Sequence, residues 1–257
     1  MENEAGGKLL IGTSGFSYKH WADGVFYPSD LPQGQWLEYY AGHFSTVELN
    51  VTFYRLPTEK TFRNWMERTP QDFTFALKGS RFITHVKRLA GCKEPLGRFF
   101  ERVALLKKRC EVVLWQLPPG FAFDSERLHG FVRLLEHHGH VRHAFEFRNR
   151  SWFCGDVYTL LREKGFAVCR ADWPGLEVEP PEDSRFMYIR RHGPGELYSS
   201  SYSDEQLERD AERIRKWLGT KERVFVYFNN DFGGCAVRNA KTLVDKVLSE
   251  KMHSPQR

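Results

Sequence analysis

Eight short apolar segments recur along the chain, and their number and spacing constrain its fold more than any other feature. They are LLIGTSG (9–15), STVELN (45–50), FTFALKG (73–79), VVLWQLP (112–118), RHAFEFR (142–148), FAVCRAD (166–172), FMYIRRHG (186–193) and VFVYFNND (224–231). Each has the length and the β-branched or aromatic enrichment of a strand. Helical patterns separate most of them, over 34–43, 58–68, 95–109, 125–138, 156–164, 204–218 and 236–250. Helix-start signals accompany several: Thr58 with Glu59, Ser125 with Glu126, and Ser203 with Asp204 and Glu205. Eight strands alternating with seven helices predict an α/β protein, a single-domain (β/α)8 TIM-like barrel over 9–250 with short tails at 1–8 and 251–257. One crossover breaks the alternation. The stretch WPGLEVEPPEDS (173–184) has three prolines, four acidic residues and no helical period, so an irregular connection is expected over about 173–185. A doubly wound open sheet is the competing architecture.

In a barrel, alternate strand residues face the helices and the axis. The stretch HAFEFRNRSW (143–152) shows why this matters, because Phe145 and Phe147 alternate with Glu146 and Arg148. Phenylalanines facing the helical layer leave both charges facing inward. The same phase puts Thr46, Glu48 and Asn50 inside on the second strand, and Thr74, Ala76 and Lys78 on the third. Gln116 faces in on the fourth strand, and Arg170 with Asp172 on the sixth, beside outward Ala167, Cys169 and Ala171. Tyr188, Arg190 and His192 face in on the seventh, and Tyr227 with Asn229 on the eighth. Polar residues thereby gather at the C-terminal strand ends: Asn50, Lys78, Gln116, Arg148, Asp172, His192 and Asn229. Barrel enzymes place their chemistry at that face. Burying charge seldom repays its desolvation cost through stability alone.

Lys and Arg outnumber Asp and Glu by five, a mild basic excess compatible with an anionic partner. The five cysteines (92, 110, 154, 169 and 235) form no CxxC pair, which argues for a reducing compartment and against a disulfide framework or zinc cluster. No apolar run approaches transmembrane length, and MENEAGGK lacks the regions of a signal peptide. A cytoplasmic protein without a membrane partner is expected. Oligomeric state is left open.

The motifs GTSGFSYKHWADGVFYP (12–28), FSTVELNVTFYRLP (44–57), FALKGSRFITHVKRL (75–89), QLPPGF (116–121), AFEFRNRSW (144–152), YIRRHG (188–193) and YFNNDFGGCAVRNAKTL (227–243) together resemble the YecE-like family, a domain of unknown function. The resemblance runs from about residue 9 to 248 and implies a TIM-barrel fold. It supplies no reaction. The connection at 173–185 lies outside these motifs.

The residues themselves point to three chemistries. Glu48 and Glu146 could work as acid and base, as paired carboxylates do in glycosidases, with Asp172 and His192 as further catalytic candidates. Cations beside Glu146 would lower its pKa and suit it to a base rather than an acid. Gly233 and Gly234 directly precede a helix, where backbone amides can hold phosphate, with Arg190 at the end of the neighbouring strand. Tyr18, Tyr54 and Trp152 lie close to Lys78, Arg148 and Arg190 in this scheme, an aromatic and basic mixture suited to bases or sugars. Asn50, Gln116, Asn229, Asn230 and Asp231 complete the expected substrate-binding set. No cofactor is required and no metal ligands are assigned, because HExxH is missing and His137, His138 and His140 sit at a helix end. A divalent metal on carboxylates stays open. The resulting expectation is an enzyme of hydrolase or isomerase type acting on an anionic, phosphate-bearing or nucleic-acid substrate. The alternatives are a non-catalytic nucleic-acid-binding protein and a glycosidase-like hydrolase.

Overall fold

The computed structural model describes residues 7–249, so the expected tails at 1–8 and 251–257 fall outside it save for positions 7 and 8. The strands are β1 (Lys8–Thr13), β2 (Thr46–Leu49), β3 (Thr74–Lys78), β4 (Cys110–Gln116), β5 (Arg142–Glu146), β6 (Ala167–Val168), β7 (Arg170–Ala171), β8 (Phe186–Arg191) and β9 (Arg223–Phe228). All pair in parallel, in the orders β2-β3-β4-β5-β6 and β1-β9-β8-β7. The two arcs join at both ends. β6 and β7 are halves of one strand, and the Cys169 N–H between them donates to the Phe145 carbonyl at 2.7 Å. β1 meets β2 through a parallel bridge between Ser14 and Glu48. The result is a TIM-like ring of eight strands, with helices between them as the alternation predicts.

The helices are α1 (Trp36–Ala41), α2 (Val51–Tyr54), α3 (Glu59–Glu67), α4 (Lys93–Val103), α5 (Ser125–Glu136), α6 (Gly155–Glu163), α7 (Asp204–Leu218) and α8 (Cys235–Ser249). Caps fix their starts. Thr58 accepts from the Thr61 N–H, and Ser203 and Gln206 form a capping box before α7. For α5 the cap is Asp124, one residue earlier than the sequence suggests, and Ser125 is already helical. No helix forms between β7 and β8, where the prolines of 173–184 interrupt the chain.

Beside that bridge, in which the Gly15 N–H donates to the Glu48 carbonyl at 2.7 Å, a side chain also closes the β1–β2 join. The Tyr40 hydroxyl from α1 accepts from the Thr13 N–H (3.0 Å) and donates to the Thr46 carbonyl (3.1 Å), standing in for a missing ladder bond. Tyr40→Phe would leave the Thr13 amide without its partner, and an unmade buried hydrogen bond costs about 1–3 kcal/mol. A lower urea midpoint with an unchanged slope is expected. An unaltered midpoint would show that the hydroxyl does not hold the seam.

Strand phases agree with the sequence reading on β2, β3, β4, β5, β8 and β9. Phe75, Leu77, Trp115, Phe145, Ile189 and Val226 pack in the outer layer, while Ala76, Leu114, Ala144, Tyr188 and Tyr227 fill the axis. The sixth strand is reversed. Ala167, Cys169 and Ala171 face the axis, and Arg170 and Asp172 face out. Two causes act together. The rings of Phe186, Tyr188, Phe225 and Tyr227 occupy much of the interior, leaving room for small side chains there. Outside, with no crossover helix to pack on, Arg170 reaches the Pro180 carbonyl at 2.6 Å and stacks over Trp217.

Candidate functional site

The inward residues one step below the strand ends form a buried ionic layer. Arg190 is fully enclosed and forks onto Glu48, with Nη2–Oε1 at 2.7 Å and Nε–Oε2 at 3.1 Å. Its Nη1 donates to Glu146 at 2.7 Å, and Nη2 also lies 3.4 Å from the Ser14 hydroxyl. Tyr188 donates to Glu48 at 2.5 Å. Glu146 accepts in addition from Arg148 Nε at 2.8 Å, with His192 Nε2 3.5 Å away. Burial by itself would raise the Glu146 pKa, but Arg190 and then Arg148 outweigh it and hold the carboxyl well below its usual range. His192, held by Asn229 at 3.0 Å, is kept neutral chiefly by burial.

Above this layer opens a cavity of about 780 Å3, walled by residues from the ends of every strand except the sixth. Of the residues singled out from sequence for substrate binding, Tyr18, Asn50, Tyr54, Lys78, Gln116, Arg148, Arg190, Asn229 and Asp231 line it. The Tyr18 hydroxyl is tied to the Ser14 carbonyl. Gln116 donates to the Leu117 carbonyl at 2.7 Å, and Asn50 Oδ1 is buried without a hydrogen-bond partner. The Arg148 guanidinium carbon lies over Trp173 of the irregular crossover, 3.6 Å from the ring centroid. A cation on an aromatic face is held by the ring quadrupole, so this contact helps to position the guanidinium. The Lys78 ammonium sits 4.2 Å above the Phe53 ring. Burial, then Arg190, push its pKa down to about 7, with Arg148 adding to this while Glu146 and Glu48 oppose it.

Other expected site residues lie elsewhere. Glu48 and Glu146 are beneath the cavity and committed to Arg190, so they do not form the acid–base pair of a glycosidase; an ionised Glu146 cannot serve as the proton donor. Asp172 faces outward, accepting from the His192 N–H at 2.6 Å and from the Tyr202 hydroxyl. Trp152 stacks parallel on Phe147 in the outer layer and donates to the Phe121 carbonyl at 2.6 Å. Asn230 ties the loop after β8 to α8 through Ser200 and Asn239. Gly233 and Gly234 do not cradle an anion. The Gly234, Cys235 and Ala236 amides are spent on the carbonyls of Asp231, Phe232 and Asn230, and Gly234 packs against Val25. Arg190 likewise has its charge answered by two carboxylates rather than free for phosphate.

Sequence reasoning missed Arg81, which lines the cavity just before a π-helical turn at Phe82–Val86. Such turns often mark functional sites. A cation three residues beyond Lys78 was the available signal. Tyr198 was missed as well. It lines the cavity with φ +68°, a costly backbone conformation for a large side chain, pinned by hydrogen bonds to His192 and Phe232. Among the described residues no three His, Cys, Asp or Glu side chains are grouped to hold a metal ion, and no helix is long and apolar enough to cross a membrane.

Comparison with known proteins places the chain in a family. The UPF0759 protein YunF of Bacillus subtilis is 27% identical over 92% of this chain and 94% of its own length. The UPF0759 protein YecE of Escherichia coli is 38% identical over 46% of this chain and 43% of its own. A crystal structure of a DUF72 family protein from Thermotoga maritima superposes with a TM-score of 0.81 at 31% identity, covering 94% of this chain and 99% of that one. The family model described as "Protein of unknown function DUF72" matches residues 10–257, and the chain therefore belongs to the DUF72 family, as the YecE-like motifs led one to expect.

Proposed function

We propose that the chain is an enzyme of hydrolase or isomerase type that binds an anionic small molecule in the barrel mouth, gripped by Arg148 and Arg81 with Lys78 facing it. One observation carries this reading. Lys78, Arg81 and Arg148 line the cavity, whereas the only carboxylate among its described lining residues is Asp231. Neither Lys78 nor Arg81 has an ion-pair partner among the described residues, and Arg148 spends only Nε on Glu146. Cations left without carboxylates in a partly dehydrated cleft favour an anion more strongly than the same charges on an open surface. Asn50, Gln116 and Asn229 add neutral polar groups able to orient the remainder of the ligand.

Inorganic phosphate and malonate, titrated against chloride at matched ionic strength, test the anion site. Either anion should raise the unfolding free energy, by about 2.7 kcal/mol at a hundredfold excess over Kd. Arg148→Ala should weaken the affinity on the order of tenfold or more, the loss expected for a charge-assisted hydrogen bond. Equal responses to phosphate, malonate and chloride would rule the site out.

A nucleic-acid-binding protein is the second reading, favoured by exposed rings at the rim. Tyr54 is 76% exposed, and Phe82 and Phe232 stand open beside the lining residues Arg81 and Asp231. That reading requires single-strand affinity that falls steeply with salt and survives Glu146→Gln.

A further inference from the structure

We propose that Lys78 is a covalent catalytic residue: its amine forms an imine with a carbonyl carbon of the substrate, which makes that substrate a carbonyl compound bearing a carboxylate or phosphate. This rests on the anion-binding reading above and names the substrate class of the same site.

Lys78 does not neutralise a carboxylate. A lysine facing the inside of a barrel commonly neutralises a carboxylate, and two carboxylates lie nearby. Both are already claimed, Glu48 by the fork of Arg190 and Glu146 by Arg190 and Arg148. The Lys78 ammonium has no hydrogen-bond acceptor among the described residues and rests on the face of Phe53. The side chain is only 8% exposed, yet it lines the cavity, so it is dehydrated and still reachable. Its root is rigid: the Thr52 hydroxyl donates to the Lys78 carbonyl at 2.7 Å, and the Gly79 N–H donates to Leu114 at 2.8 Å.

These surroundings also set the protonation state. The charged groups facing the amine are Arg190, Arg148, Glu146 and Glu48, and His85 and Arg81 line the same cavity. Desolvation leads, and the pKa falls from 10.5 to about 7. At neutral pH roughly half of this lysine would carry a free lone pair, against on the order of one in a thousand for an ordinary one. A desolvated lysine beside other cations is an activated nucleophile. His85, pushed down to about 4 by burial and then by Lys78 and Arg81, adds no competing positive charge at neutral pH.

The step balances. The amine lone pair attacks the carbonyl carbon, and a proton moves from nitrogen to oxygen to give a carbinolamine. Loss of that oxygen as water, with one further proton taken from solvent at the open mouth, leaves a protonated imine. The anionic end of the substrate, held by Arg148 and Arg81, orients the carbonyl toward Lys78.

Borohydride trapping provides the test. The full chain is incubated near pH 7 with a limiting amount of pyridoxal phosphate or glyoxylate, each an anionic aldehyde, and reduced. Hydride transfer converts the imine into a stable secondary amine that peptide mapping can locate. One adduct at Lys78 is expected, formed on the order of a hundredfold faster than at the average exposed lysine. Excess inorganic phosphate should suppress it, and Lys78→Met, checked for an unchanged circular dichroism spectrum, should lack it. Adducts spread over surface lysines, with phosphate still bound by the wild-type chain, would overturn the imine and leave the anion site standing. Absence of both the Lys78 adduct and phosphate binding would remove the two proposals together. Both readouts come from the wild-type chain, so a misfolded variant does not obscure the result.

Discussion

Arg190→Met should destabilise the barrel by about 3–5 kcal/mol at neutral pH, the cost of breaking a buried ion pair by removing one partner. Methionine keeps much of the side-chain volume, so the loss reports charge more than packing. In the native protein Arg190 answers Glu48 and Glu146 together, and all three side chains are essentially inaccessible to water. The pH dependence separates this mechanism from a simple packing defect. With its folded pKa depressed, Glu146 contributes stability that is present above the unfolded carboxylate value of about 4.3 and is lost as pH falls through the depressed value. Without Arg190 the balance at Glu146 shifts toward burial, which favours the protonated form and raises the pKa. The unfolded value is common to both chains and cancels, so the variant's penalty is full above its own raised Glu146 pKa and shrinks as pH falls from there toward the depressed wild-type value. Urea denaturation at pH 7.5 and at pH 4 should show a clearly smaller difference between variant and wild type in acid. A difference of equal size at both would mean that the Arg190 charge is not what holds the layer.

The same layer shows what the sequence makes legible. Period-two alternation places Glu48, Lys78, Glu146, Arg148 and Arg190 inside the ring and near its C-terminal end, because the facing of a strand residue follows from its neighbours' polarity. Alternation says nothing about pairing. Glu48 and Glu146 read as a catalytic couple until Arg190, 142 and 44 residues further along, is seen clamping both. The sixth strand fails for a definite reason. Its alternating alanines and cysteine suit either layer, and the rings crowding the axis together with the missing crossover helix decide that Arg170 and Asp172 face outward. Trp152 and the Gly233–Gly234 pair are close in sequence to the strand ends but are drawn into the outer packing and into Val25. Arg81 belongs to the cavity through a loop conformation that local periodicity does not encode.

Gly12→Ala should be nearly as damaging as loss of Arg190, although position 12 carries no chemistry. A Cβ there would lie 2.3 Å from the Thr46 carbonyl oxygen and 3.1 Å from the Tyr40 hydroxyl. The nearest obstacle is main chain on the adjacent strand, so no rotamer change can clear it. β1 and β2 must move apart at the one place where the ring is closed by a single bridge and a tyrosine hydroxyl. Overpacking of this kind costs about 1–3 kcal/mol, and more where backbone has to shift. The consequence extends to the site. Ser14 and Glu48, the residues of that bridge, are also partners of Arg190. Widening the seam therefore pulls one carboxylate away from the arginine, and a change at position 12 should couple energetically to one at position 190. In a double-mutant cycle the Gly12→Ala and Arg190→Met effects should sum to less than their separate values by 0.5 kcal/mol or more, about the limit reached by independent sites. Strict additivity would mean that the seam and the ionic layer are mechanically separate, and that Glu48 is placed by β2 alone.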